Sequence, residues 1–443
     1  MRRMGIGLGI GINRSNYAQG IFNAYQSRVT ADGGVTEAGA CVDAVSGLLQ
    51  SASLLLIPSG YKSGKAYAEI PTNGNGDLTW TRASTALRTN SSGLLESMGS
   101  GVPRLSYMYG SCPALLLEPQ RTNLALRSDD FSNATWISDG TTTVTANATT
   151  SPDGTVNADR LQMSSSQRRY IYQNISVSAG TYTYSVYLKA SSNQTVRIGT
   201  DQTCSFYRGA LICNVTTEWQ RFTLTITGVT AGNLAIVIDN ITSNITQCTG
   251  TAVGVDIFAW GAQLELGAYP TTYIPTTTAS ATRVADTATK TGISSLIGQT
   301  EGVIFVDFYV NGIGANNINI YNNDRSPSTI STNAILYKPN GSIECQTFLG
   351  NGTFNTISIS ASTYTIGQRI KLAYRYKSGD FALYINGIQK ATSTSTMTFV
   401  GTKSQIYLDD NGVIYGYQEA VHYNQFALFT TALTNAELVS LTT

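Results

Sequence analysis

The sequence predicts a mostly β protein built as two tandem β-sandwiches behind an N-terminal segment with one helix, and three observations carry that expectation. Only 12% of the 443 residues are charged. Thr, Ser, Asn, Tyr and 42 glycines dominate instead, a mixture that suits short strands joined by tight turns. Over the last two-thirds of the chain apolar and polar side chains alternate with period two, as half-buried strands require. The length also exceeds what one core normally serves, so two or three domains are expected.

Charge narrows the function classes. The 28 basic and 27 acidic residues nearly cancel, and neither nucleic acid nor an anionic membrane is expected as a partner, because both call for a concentrated basic surface. No apolar run approaches the ~20 residues of a membrane-spanning helix. Met1-Arg2-Arg3 before Gly5–Ile12 mimics a signal peptide, but the apolar part is short, alternates with glycine and lacks a small-x-small cleavage site, so secretion is not expected. The six cysteines (Cys41, Cys112, Cys204, Cys213, Cys248 and Cys345) are scattered without a C-x-x-C pair. Free thiols in a reducing cytoplasm are expected, with Cys204 and Cys213 able to close a small loop.

Taken in order, residues 5–12 put isoleucine and leucine on one strand face and bare backbone on the other, a tether for a neighbouring subunit or a frayed end. Val35, Ala38, Cys41, Val42, Val45, Leu48 and Leu49 fall at helical spacing, which predicts a helix over 35–49 that packs on a partner or a shared hub. Residues 52–127 alternate short strands and turns. From Asp129 onward, Tyr182, Tyr184, Val186 and Leu188 share a strand face opposite Thr181, Thr183, Ser185 and Lys189; Phe222, Leu224 and Ile226, then Leu234, Ile236 and Ile238, repeat the pattern. Val255–Gly267 closes this sandwich, with apolar residues at both parities up to Trp260, which is assigned to the core. Gly267, Pro270 and Pro275 then end the ladder. In the last part Ile370, Leu372, Tyr374 and Tyr376 alternate with Arg369, Lys371, Arg375 and Lys377, and Ser378-Gly379-Asp380 turns the chain into Phe381–Gly387. Thr434 to Glu437 is a capping box with Leu433 and Leu438 as its staple, predicting a helix over 435–441.

Several phrases add a resemblance. The strand ending GAQLELG, followed by YPTTYIPT and TRVAD at 282–286, resembles the end of a jelly-roll, carbohydrate-binding-module-like domain of phage virion proteins. ADGGVTE at 31–37, LLLIPSGYK at 54–62, GDLTWTRAS at 76–84, PRL at 103–105 and LLLEPQRTN at 115–123 resemble the N-terminal module of phage fibres or minor virion components. The hairpin ending Tyr384-Ile385-Asn386-Gly387 resembles a concanavalin A/laminin G-like sandwich, in which a short terminal helix is usual. The resemblance implies a virion-anchoring segment over 1–60, a short-stranded linker module over 61–127, a jelly roll over 128–285 and a concanavalin A/LamG-like sandwich over 290–443. It also implies a virion location after assembly in the host cytoplasm, contact with other virion proteins through the N-terminal segment, and a homo-oligomer with a trimer favoured. Fibre or decoration with glycan binding is the expected function; pure architecture and a polysaccharide depolymerase are the alternatives.

Chemistry has few places to sit. The one histidine, His422, lies in a strand-like run and reads as structural. Glu301 and Asp307 are six apart and Asp409-Asp410 look like a turn, so the paired carboxylates of glycoside hydrolysis are not evident and no catalytic residue is expected. Sugar binding asks only for an aromatic platform with amides and hydroxyls around it. Tyr170 and Tyr172, with Gln173 and Asn174 alongside, are candidates; so are Trp219, opposite Phe222 and Leu224 in parity, and Trp136 near the start of the sandwich. Core or inter-sheet packing is the competing role for each ring. No cofactor is expected beyond a possible structural calcium: the resembled modules often hold one on the closing strand, where Asp256 stands. Backbone donors or an arginine such as Arg160 would satisfy that carboxylate equally well.

Overall fold

The computed structural model describes residues 16–37, 47–200, 208–243, 250–312, 318–321, 331–338, 340–349, 354–360, 364–408 and 420–443. The expected tether at 5–12 lies outside them. The period-two segments become antiparallel strands that stack as two sandwiches.

The first sandwich is a jelly roll of two five-stranded sheets. One runs in the order Ile137–Ser138, Tyr170–Val177, Gly232–Asp239, Gln194–Thr200, Ala210–Val215, and the other in the order Thr143–Thr150, Val156–Met163, Val255–Leu266, Gly180–Ala190, Gln220–Val229. Their inner faces meet in a core that includes Ile171, Tyr184, Val186, Val196, Ile236, Ile257 and Leu264, so the alternation read at 182–188 and 234–238 gives the correct inward face. The strand Val255–Leu266 lies in the middle of its sheet, between Val156–Met163 and Gly180–Ala190. Its double-sided burial sits later than the sequence suggests. Asp256 and Phe258 are half-buried, and burial on both faces begins at Ala259. There Gly261 adopts a φ of +64° at a register shift, and Trp260 turns onto the outer face to pack on Tyr273, ring centroids 4.5 Å apart. Leu87 and Leu95, from the hairpin formed by Ala86–Thr89 and Leu95–Met98, cover it.

The second sandwich corrects the expected division of the chain. Its eight-stranded sheet contains Glu301–Gly312, Arg369–Lys377, Phe381–Ile385, Ile388–Ser393 and Ala420–Phe429, but also Leu54–Leu56, Leu105–Ser106 and Ala114–Leu117. Leu54–Leu56 pairs with Phe426–Leu428, and Leu115–Leu117 pairs with Val421–Tyr423. The facing ten-stranded sheet joins Val35–Thr36, Gly60–Lys62, Lys65–Ala66 and Leu78–Thr81 to Thr287–Thr291 and the strands beyond. Residues 61–127 are therefore not a separate linker module. Trp80, Leu54 and Leu117 share one core with Val306, Leu372, Tyr374 and Ile406. Short strands bury too little to stand alone, and these find their partners some 200 to 370 residues away.

The described ends of the helix expected over 35–49 are not helical. Val35–Thr36 is a strand against Gly60–Tyr61, Leu49–Ser51 is a 3-10 turn, and 38–46 lie outside the described residues. The N-terminal helix is Asn16–Ala31. Tyr25 and Val29 bury against Tyr67 of the same chain, and Arg28 pairs with Asp77 at 2.5 Å.

At the other end the capping box forms as written. Thr434 Oγ1 accepts from Glu437 N at 3.3 Å and Glu437 Oε2 accepts from Thr434 N at 2.7 Å. The helix Asn435–Thr442 lays Leu438 and Leu441 over Val303, Phe305, Ala373 and Phe429, sealing the outer face of the eight-stranded sheet. Thr434→Ala is expected to cost about 1 kcal/mol, read as a lowered urea midpoint with an unchanged slope. The hairpin before it turns on Asn386 and Gly387, both at positive φ (48° and 76°), the conformation a two-residue type I′ turn needs.

The chain enters the jelly roll through Arg121–Asn123 and leaves through Ala281–Arg283, which pair antiparallel as a two-stranded neck. Beside it is a buried ion cluster. Arg82 reaches Asp286 at 2.9 Å, Arg104 reaches Glu118 at 2.6 Å and also Asp286, and Arg283 Nη1 lies 2.8 Å from Glu118, within ion-pair range but off the hydrogen-bond line. All five side chains are at most 2% exposed.

Candidate functional site

The strand Tyr170–Val177 buries Ile171, Gln173, Ile175 and Val177 and turns Tyr170, Tyr172, Asn174 and Ser176 outward. Tyr170 and Tyr172 are half-buried, their ring centroids 5.8 Å apart and inclined by 55°. Ile137, 45% exposed, pairs with Tyr172 across the edge strand. Asp239 pairs with Tyr170 on the other side. Arg197 grips the Asp239 carboxylate with two bonds of 2.9 and 2.6 Å, and Arg168 Nε adds a third at 3.0 Å. Arg168 thereby lies 4.8 Å over the Tyr170 ring. The ring is fixed by a cation whose own position is fixed by a buried carboxylate. Fixed aromatic faces with amide and hydroxyl neighbours can take the C–H face of a sugar and its hydroxyls together.

The other aromatic candidates lie elsewhere. Trp136 is 4% exposed, donates Nε1 to Arg127 O at 3.0 Å and packs on Phe131 at 4.5 Å. It is a core residue. Trp219 lies just before the strand Gln220–Val229 of the opposite sheet, donates Nε1 to Thr150 O at 2.9 Å and packs against the cluster of Ala158, Trp260 and Tyr273. Gln173 turns inward and bonds the backbone of Leu126 through both its amide atoms. The sequence reading missed Arg168, Arg197 and Asp239 as parts of this face. One signal was available: Asp239 directly follows the apolar run Leu234–Ile238, where an acid needs partners.

Asp256 has the arginine partner. Arg160 Nε donates to it at 2.7 Å and Gln162 stands nearby, and the hydrogen bond from Arg160 lowers the carboxyl's pKa. The acid is 40% exposed, so the desolvation that would call for a cation is small. Among the described residues no three His, Cys, Asp or Glu side chains group as metal ligands.

The remaining reactive groups among the described residues are buried or ion-paired. His422 is buried, its Nδ1 meets Asn311 Nδ2 at 2.6 Å, and burial pushes its pKa down to about 3. Glu301 pairs with Lys377 at 2.8 Å and Asp307 with Arg369 at 2.8 Å; Asp409 and Asp410 lie outside the described residues. Cys213 and Cys345 are free and buried, and burial raises the Cys213 thiol to about 12. Cys213 is therefore not in a disulfide, and Cys204 lies outside the described residues. Cys112 is disulfide-bonded, against the expectation of free thiols throughout.

No protein-family model matches the sequence, and no curated protein matches it. Solved structures similar to part of it include the receptor binding domain of botulinum neurotoxin C/D mosaic serotype, at 15% identity and a TM-score of 0.30, covering 35% of this chain and 40% of that one. Another is the Ruminococcus gnavus IT-sialidase CBM40 bound to α2,3-sialyllactose, at 12% identity and a TM-score of 0.29, covering 34% of this chain and 90% of that one. The botulinum neurotoxin type G receptor binding domain is similar at 16% identity and a TM-score of 0.27, covering 35% and 38%. The chain thus spans about two-fifths of the neurotoxin domains it matches. By its own sheets it is a mostly β protein of two stacked sandwiches, the first a jelly roll.

Proposed function

We propose that this chain is a glycan-binding structural component of a bacteriophage particle, a fibre or decoration protein whose jelly roll takes sugar on the Tyr170–Tyr172 face. The observation that supports glycan binding is the pair of outward rings 5.8 Å apart, one of them held by Arg168, with Asn174 exposed two residues along the same row. The phage setting is supported by the phrases from 31–37 to 282–286 quoted above. In this reading the N-terminal segment meets other virion proteins and several copies, a trimer in the favoured case, multiply individually weak contacts by avidity.

A bacterial surface-glycan array probed with the whole protein is the test. Binding is expected, and Tyr170→Ala with Tyr172→Ala should weaken it about tenfold or more, with the melting temperature nearly unchanged because both rings lie on the outer face. Silence across the array would favour a purely architectural role. A polysaccharide that shortens on incubation with the protein would favour a depolymerase instead.

A further inference from the structure

The neck opens on one side into a groove of about 390 Å3, lined by Arg121, Thr122, Ser176, Ser178 and Leu266 among others. Arg121 is the unusual wall. The other neck arginines, Arg82, Arg104 and Arg283, each have a carboxylate partner. Arg121 donates Nη1 to Gln120 O at 3.1 Å and stacks on the Tyr269 ring at 5.2 Å. Among the described residues it has no carboxylate partner, and its Nε is buried without an acceptor. Gly267 makes room for it: a Cβ there would stand 3.0 Å from Arg121 Nε and Nη2.

The rest of the groove supplies what a sugar ring needs. Ser176 and Ser178 are exposed, and Ser178 Oγ lies 3.0 Å from the Tyr182 hydroxyl. Leu266 ends its strand 52% exposed, an apolar surface at the rim. Ser176 also closes the outward row of Tyr170, Tyr172 and Asn174, so Tyr172 and the groove are about 13 Å apart along one strand.

We propose that this groove is a subsite for a sugar ring that carries a carboxylate. Arg121 takes the carboxylate, Ser176 and Ser178 take ring hydroxyls, and Leu266 takes a C–H face. The charge is the deciding feature. A half-buried guanidinium without a carboxylate partner gains most from an anion, and its planar fork matches a carboxylate. The subsite rests on the glycan-binding reading and adds to it the chemical class of one sugar.

Calorimetry on the whole protein tests it with two acids, trigalacturonate for hexuronates and an N-acetylneuraminic acid trisaccharide for nonulosonates, each against its own methyl ester. At least one acid is expected to bind about tenfold or more tightly than its ester, and which one does so identifies the sugar. Arg121→Gln should erase that difference without lowering the melting temperature, and Arg121→Lys should keep part of it, since charge remains and the fork is lost. Acids and esters that bind equally, or a difference that survives Arg121→Gln, would overturn the subsite. So would failure of both acids to bind. Neutral glycans that still bind in a Tyr170- and Tyr172-dependent way would then leave the tyrosine face standing.

Discussion

Glu118→Gln is expected to destabilise the protein by about 3–5 kcal/mol, because it leaves the buried Arg283 guanidinium without its ion-pair partner and Arg104 with Asp286 alone. Glu118 Oε2 faces Arg104 at 2.6 Å and Arg283 at 2.8 Å, while Oε1 accepts from Thr272 N at 2.7 Å. With the carboxylate gone, Arg82, Arg104 and Arg283 are left with Asp286 as their nearest charge. The same residue sets an acid dependence. Burial pushes its carboxyl up, but Arg283 and Arg104 with the Thr272 N–H more than offset that and hold it well below the ordinary 4.5. A depressed carboxyl stabilises fully above its unfolded value, and the contribution fades as pH falls through the native one. Urea midpoints of the wild type should therefore drop steeply below about pH 4.5, and Glu118→Gln should flatten that slope while lowering the neutral-pH midpoint. A variant as stable as the wild type at pH 7 would mean the cluster contributes nothing net.

The cluster also shows what the sequence could and could not convey. Period two told which side of each long strand faces a core, because that pattern is local: Tyr182 to Leu188 and Ile370 to Tyr376 are buried as read. The capping box at Thr434 was legible for the same reason. Partner choice was not. The charged letters of the recognised phrases, Arg82 in TWTRAS, Arg104 in PRL, Glu118 in LLLEPQ, and Arg283 and Asp286 in TRVAD, look like unrelated surface charges along the chain, yet they meet at one buried point. Ion pairs between residues 182 or 204 positions apart leave no periodic trace. The N-terminal helix escaped for a different reason: Tyr25 and Val29 bury among Asn, Gln, Ser and Thr, giving a weak apolar stripe that Arg28 and Asp77 supplement with charge.

The candidate site divides in the same way. Alternation placed Tyr170 and Tyr172 on one strand face, and in the structure that face is the outer one. It could not separate them from Trp136 or Trp219, because whether an aromatic ring is covered depends on what packs over it. Phe131 meets Trp136, and Trp219 joins a cluster that the hairpin at 86–98 helps to form. Arg121 offered no local signal either, since the groove beside it exists only once Ser176, Leu266 and the neck strand have been brought together.

Trp80→Ala should reveal whether the early strands belong to the second sandwich. Trp80 sits on Leu78–Thr81, which pairs with Thr287–Thr289, and its side chain is 1% exposed in the core shared with Val306, Leu372 and Ile406. Truncating a buried tryptophan to alanine costs about 3–5 kcal/mol, the lost transfer energy plus a cavity. Hydrogen exchange gives the discriminating measurement. If residues 52–119 and 287–443 form one core, Trp80→Ala will lower protection in Glu301–Gly312 and Arg369–Lys377 as much as in its own strand. Protection lost only over 52–127 would mean that segment folds by itself and that the shared core is wrong. Trp80→Phe provides the control: Nε1 has no acceptor, so phenylalanine removes a buried donor that costs about 1–3 kcal/mol to leave unpaired and gives back much of the lost packing. A small net change is therefore expected for phenylalanine where alanine is severe, an ordering that follows from burial in a shared apolar core and would not arise at a surface strand.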